Sequence, residues 1–266
     1  MKFATTVLLT SAIWTTSALA APRAGFGVPP KAPGDKNGAL AAEQSTSADI
    51  EYGYNWAGVI HTTPPATGTY TAASATFTVP EPTATDDSSG GKQGASAWVG
   101  IDGGTYRNAI LQAGVDFYVE GGTKNYDAWY EWYPAYSNDF NLSISAGDIV
   151  IVKVVSSSPS QGVAILENES SGQSATQTLS ADPSTATLGG QNVEWMVEDY
   201  QSGSSDVALV NFNKVKFTGV QAETSDGQKI GTDGATIYDI QQNGDVLTNV
   251  TIISDTEFDV SYEAAQ

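Results

Sequence analysis

The 266-residue sequence contains no cysteine, one histidine and 11 lysines and arginines against 30 aspartates and glutamates. Each shortage removes a class of explanation. Without cysteine there are no disulfides, so the fold must rest on its own apolar core, which one domain of roughly 200 residues can supply. A single imidazole and no thiol leave no zinc centre of the usual ligand kind. A Ser-His-Asp triad would have only His61 of "VIHTTPP" as base, which stands at a strand end and reads as a loop residue, and no serine sits in a nucleophile elbow. The carboxylates show no calcium-loop spacing, and the glycines of "GIDGGT" lack the helix that a phosphate loop needs. No metal and no cofactor are expected. The formal charge of −19 repels nucleic acid and anionic membrane surfaces, so neither is an expected partner. Helical periodicity is missing too, since no amphipathic stretch lasts ten residues.

What is present begins with a leader. Lys2, the apolar "FATTVLLTSAIW" and the small-residue "ALA" at 18–20 read as a secretory signal peptide over residues 1–20, which predicts a secreted, extracellular protein. No later apolar run reaches membrane-spanning length. Residues 21–50 are rich in Pro, Gly, Ala and small polar side chains and read as a pro-segment. Residues 51–266 carry 27 acids and 7 bases, a net charge of −20, and read as one domain, expected to be a monomer. Asn141-Leu-Ser143, Asn168-Glu-Ser170 and Asn249-Val-Thr251 are glycosylation sequons.

From Asn55 onward, short runs rich in Val, Ile, Thr, Tyr and Trp are separated by Gly, Asp, Asn and Ser. That pattern predicts an antiparallel β-sandwich or barrel. "SDGQ" at 225–228 and "NGD" at 243–245 read as hairpin turns, and "PEPTATDDSSGGKQGAS" at 80–96 as an exposed, protease-sensitive loop.

Strand alternation sorts the side chains. In "YDAWYEWYP", Tyr126, Ala128, Tyr130 and Trp132 share one face, and Asp127, Trp129, Glu131 and Tyr133 the other. Trp98, Gly100 and Asp102 oppose Ala97, Val99 and Ile101; Ile110, Gln112, Gly114 and Asp116 oppose Leu111, Ala113, Val115 and Phe117; Glu194, Met196, Glu198 and Tyr200 oppose Val193, Trp195 and Val197. Four strands thus pair an apolar face with one that mixes acids or amides with aromatics and glycine. A merely wetted face usually carries Thr, Ser and Lys, and glycine inside a strand marks a close approach by a ligand or another backbone. A substrate-gripping face is the sharper reading. A carbohydrate-active sandwich using Glu194 and Glu198, or a lectin with the same face, stays open at this level.

The motifs "WAGVI", "AWVGIDG", "AILQAGVDF", "YDAWYEWYP", "VEWMVEDY" and "DVLTNVTIISDTEFDVSY" resemble, in order and spacing, the fungal glutamic peptidases of the eqolisin family, from about Tyr52 to Tyr262. The resemblance implies an all-β, concanavalin-like or jelly-roll sandwich of two seven-stranded antiparallel sheets. It implies a secreted, pepstatin-insensitive acid endopeptidase made as a zymogen and acting on polypeptides. The family's catalytic glutamine then falls on Gln112, and its glutamate on Glu198 rather than Glu194. Trp98, Asp102, Asp116, Asp127, Trp129 and Glu131 become substrate-binding or supporting residues, and the loop after "EWYP" resembles the family's substrate-covering hairpin.

Overall fold

The computed structural model describes residues 50–85, 91–202 and 205–263. Residues 1–49, read as signal peptide and nearly all of the pro-segment, lie outside them. Among the described residues there are twenty strands and no helix. In chain order they are β1 (Ile50–Gly53), β2 (Trp56–His61), β3 (Tyr70–Thr78), β4 (Gln93–Ile101), β5 (Ile110–Glu120), β6 (Thr123–Tyr133), β7 (Asn138–Asp139), β8 (Ile149–Ser158), β9 (Gln161–Asn168) and β10 (Gln173–Ser180). There follow β11 (Val193–Glu198), β12 (Gln201–Ser202), β13 (Ser205–Asp206), β14 (Ala208–Leu209), β15 (Lys214–Thr224), β16 (Lys229–Ile230), β17 (Thr236–Gln242), β18 (Asp245–Val246), β19 (Thr248–Ser254) and β20 (Glu257–Tyr262).

Two sheets take up all but the β12–β13 ribbon. One runs β1-β17-β2-β11-β4-β5-β6-β7 with β14 and β18 attached, ten strands in all; the other runs β10-β9-β8-β3-β15-β20-β19 with β16 attached, eight in all. Without the two-residue strands each sheet has seven, the number the resemblance implies. Pairing is antiparallel except at β1–β17 and β14–β4. Ile50, placed at the end of the pro-segment from sequence, already pairs with Ile237 in β1.

Period-two alternation builds the layer between the sheets. Val150, Val152 and Val154 of β8 are fully buried there, facing Val99, Leu111, Val115 and Phe117 of the first sheet in one cluster. Phe217 and Phe258 stack at 4.7 Å. The buried indole N–H of Trp195 donates across the layer to the Ser74 carbonyl at 2.9 Å. Each large side chain so buried contributes about 1.5–3 kcal/mol. The "NGD" turn forms as expected, with Asn243 and Gly244 both at positive φ (53° and 97°) between paired Gln242 and Asp245.

Two expectations need correction. The exposed loop at 80–96 is shorter than its composition implies. Gln93 to Ser96 are buried in β4, and Gln93 Oε1 accepts the Thr85 N–H at 2.7 Å. His61 does end a strand, but it is buried rather than a loop residue, its Nε2 2.7 Å from the Gly231 carbonyl oxygen.

The sequons also separate. Asn141 and Asn249 are exposed. Asn168 is 1% exposed, and its Nδ2 donates to Asp148 Oδ2 at 2.7 Å, so a glycan there has no room. Peptide mapping of protein secreted by a glycosylating host is expected to find sugar at Asn141 and Asn249 and bare Asn168; a native protein glycosylated at Asn168 would contradict this packing.

One carboxyl buried away from the site favours the fold in acid over the fold at neutral pH. Asp239 of β17 accepts the Thr248 hydroxyl at 2.8 Å, and burial pushes its pKa up to about 6. A group held above its unfolded value is still protonated in the fold where the open chain has lost its proton. Its contribution is therefore intact in acid and is lost as pH rises from about 4 to about 6. Asp239→Asn is expected to leave the thermal midpoint unchanged at pH 3 and raise it at pH 7, by an amount on the order of 1–3 kcal/mol in stability. An equal effect at both pH values would rule out the titration.

Candidate active site

A sandwich of two sheets needs only one apolar layer, yet this one has a second. Trp56, Ile60, Trp98, Ile110, Trp129 and Met196 form a separate buried cluster on the other face of the first sheet. The strands β2, β11, β4, β5 and β6 lie side by side there, and their register sorts the face into rows. Trp56, Glu198, Ser96, Asp116 and Asp127 form one. Gly58, Met196, Trp98, Gly114 and Trp129 form the next, and Ile60, Glu194, Gly100, Gln112 and Glu131 the third. Within the strands the faces assigned from alternation are observed; Asp102 and Tyr200 fall beyond the ends of β4 and β11, where alternation no longer applies.

The third row joins an amide to two acids. Gln112 Nε2 donates to Glu131 Oε2 at 2.8 Å, with Gln112 3% exposed and Glu131 fully buried. On the other side of Gln112 stands Gly100, and beyond it Glu194. A Cβ added at Gly100 would lie 2.8 Å from Glu194 Oε1, so Glu194 leans over the glycine toward Gln112. Both Glu194 carboxylate oxygens are buried without a hydrogen-bond partner. Burial, followed by the charge of Asp102, pushes the Glu194 carboxyl well above the ordinary range.

Glu198 is elsewhere. It lies two strands over and four residues along from Gln112, or roughly 16 Å between backbones at about 4.8 Å per strand and 3.3 Å per residue. It accepts Asn55 Nδ2 at 3.1 Å. The Gln112–Glu198 pairing taken from the motif order therefore does not fit the register, which sets Glu194 level with Gln112. Alternation could not choose, because residues four apart on a strand share a face. The glycosidase pairing fails for the same reason. β11 pairs on both sides without a bulge, so Glu194 and Glu198 stay about 13 Å apart in backbone rise, where a retaining pair needs about 5–5.5 Å.

The remaining expected residues divide. Trp98 and Trp129 form the apolar floor between the rows, and Trp129 Nε1 donates to Ser96 Oγ at 3.0 Å. Asp116 and Asp127 stand directly opposite each other at the Glu198 end. Asp102 does not bind the floor. At a positive φ of 67° just past β4, its carboxylate accepts the backbone N–H groups of Gly189, Gly190, Gln191 and Asn192 at 2.7–3.3 Å, clamping the turn that leads into Glu194. The segment read as a covering hairpin is an edge strand. β7 pairs with Trp129 and Tyr130, and Phe140 packs on the Tyr130 ring at 4.7 Å. Sequence reasoning missed Trp56 and Ile60 of β2 as site residues, although the alternation of "WAGVI" would have put both on this face.

Comparison with known proteins identifies the family. Residues 54–262 match the model of the Peptidase A4 family. The chain belongs to that family. It is 41% identical over 286 aligned positions to aspergillopepsin-2 of Aspergillus niger, across 96% of this chain and 98% of that protein. It is 35% identical to scytalidopepsin B of Scytalidium lignicola, across 98% and 100%. The crystal structure of scytalido-glutamic peptidase with a transition state analog inhibitor superposes with a TM-score of 0.70 at 34% identity, covering 79% of this chain and 98% of that one. As a Peptidase A4 member the chain is a glutamic endopeptidase.

Proposed function

We propose that the chain is a secreted endopeptidase active in acid, in which Glu194 and Gln112 cleave the peptide bond of a polypeptide lying over Gly100. What carries the reading is the level placement of Glu194 and Gln112 across that glycine, with the amide held by Glu131. Hydrolysis without a nucleophilic side chain needs a base for water and a donor for the developing oxyanion. Ionised Glu194 takes a proton from water as the oxygen attacks the carbonyl carbon. One Nε2 hydrogen of Gln112 is given to Glu131, and the second faces the oxyanion. The protonated Glu194 then hands its proton to the leaving nitrogen as the C–N bond breaks, which restores the carboxylate and frees an amine and a carboxylic acid. Burial raises the Glu194 pKa, so in acid only its ionised fraction is the base, and that fraction is a stronger base than an ordinary carboxylate. Asp102 orients Glu194 through the turn it clamps, and Trp98 and Trp129 give the peptide an apolar wall.

The test is digestion of a denatured protein at pH 2–5, with and without pepstatin, beside a β-glucan assay. Cleavage of the protein unaffected by pepstatin is expected. Glucan cleavage without proteolysis would overturn the proposal.

A further inference from the structure

On the side of Glu194 away from Gln112, a cavity of about 480 Å³ opens on the same face of the sheet. Trp56 and Ile60 line its apolar part, and Ile60 is the direct register partner of Glu194. The cavity therefore starts one strand, about 4.8 Å, from the proposed base. Its remaining wall is polar: Thr62, Arg107, Tyr238 and Glu51.

We propose that this cavity receives the substrate side chain flanking the scissile bond on the Glu194 side, and that Arg107 makes it select glutamine or glutamate over lysine or arginine. The inference rests on the assignment of Glu194 and Gln112 to the cleavage. A peptide crossing Gly100 advances about 3.3 Å per residue, so its next side chain on that side falls over β11 and β2. The apolar part suits the methylenes of a mid-length side chain, and Trp56 is braced edge-on against Trp98 at 5.2 Å. Beyond the methylenes, the polar wall calls for a terminal group that accepts hydrogen bonds. Arg107 Nε lies 3.5 Å from the Gly104 carbonyl oxygen, which ties the side chain to the loop wall, and its charge reaches the Tyr238 hydroxyl. The Tyr238 hydroxyl donates to Glu51 Oε2 at 3.0 Å, so a carboxylate shares the polar wall with Arg107. In acid, carboxylates lose charge and a guanidinium does not, so the cavity presents a cation that repels lysine and donates to an amide or carboxyl oxygen.

The experiment uses peptides identical except for Gln, Glu, Leu or Lys, placed in turn on either side of the scissile bond, with kcat/KM measured at pH 3. Wild type is expected to favour Gln and Glu over Lys by tenfold or more at one of the two positions. Arg107→Met should bring that ratio close to one, and Arg107→Lys, which keeps the charge, should retain most of it. A wild-type ratio near one at both positions, or a ratio unchanged in Arg107→Met, overturns the subsite while leaving the catalytic reading in place. Undiminished cleavage by Glu194→Gln in the same assay overturns the catalytic reading, and the subsite with it.

Discussion

Gln112→Glu is expected to lower kcat/KM by about two to three orders of magnitude at pH 3, and further as pH rises to 5. The substitution is nearly isosteric, so a residue that merely filled space would tolerate it. Gln112 does more than fill space. Its amide donates to the fully buried Glu131 and, in the proposed mechanism, to the oxyanion, a donor typically worth about 2.7–4 kcal/mol in the transition state. A carboxyl at this position has one proton to share between Glu131 and the oxyanion. Once ionised, it repels both of them and Glu194 as well. The pH dependence separates the two readings, since lost packing would not deepen between pH 3 and 5. Folding is checked by circular dichroism. Near-wild-type activity across that range would remove Gln112 from the mechanism.

Glu194→Gln should abolish measurable turnover, a loss of at least the two to four orders that a general base commonly supplies. Glu198→Gln should keep activity within about tenfold of wild type, because an amide oxygen there can still accept from Asn55. The two variants differ by one atom at positions four residues apart on the same strand, so their comparison tests the register directly. A second readout guards against misfolding. Burial and the charge of Asp102 raise the proton affinity of Glu194, so its ionisation costs stability as pH climbs above the ordinary carboxyl range. The neutral amide escapes that cost. Glu194→Gln should thus unfold at a higher temperature than wild type at pH 7 and at about the same temperature at pH 3, while inactive at both. Loss of activity in Glu198→Gln with retention in Glu194→Gln would return the base to Glu198.

Much of this molecule follows from local pattern. Alternation along single strands assigns Trp98, Gln112, Trp129, Glu131, Glu194 and Glu198 to one face and Val99, Leu111, Val115, Trp132 and Trp195 to the other, because successive Cβ atoms point oppositely whatever the partner strand. The "NGD" turn is equally local, since two residues with positive φ are all it needs. The closed Asn168 sequon and the burial of Gln93 to Ser96 were not readable, because each depends on a contact with a distant segment. The decisive gap lies between Glu194 and Glu198. Sliding β11 by four residues against β4 keeps every side chain on its face, so no periodicity tells which acid stands level with Gln112. That choice was made by the ladder joining β11 to β4 and β4 to β5, in which strands distant in sequence lock Glu194 opposite Gly100, and Gly100 opposite Gln112. Sequence alone determined the faces and the kinds of groups on them; only the tertiary register decided which of those groups meet, because hydrogen-bond pairing between strands is the one interaction here that sets position along the strand.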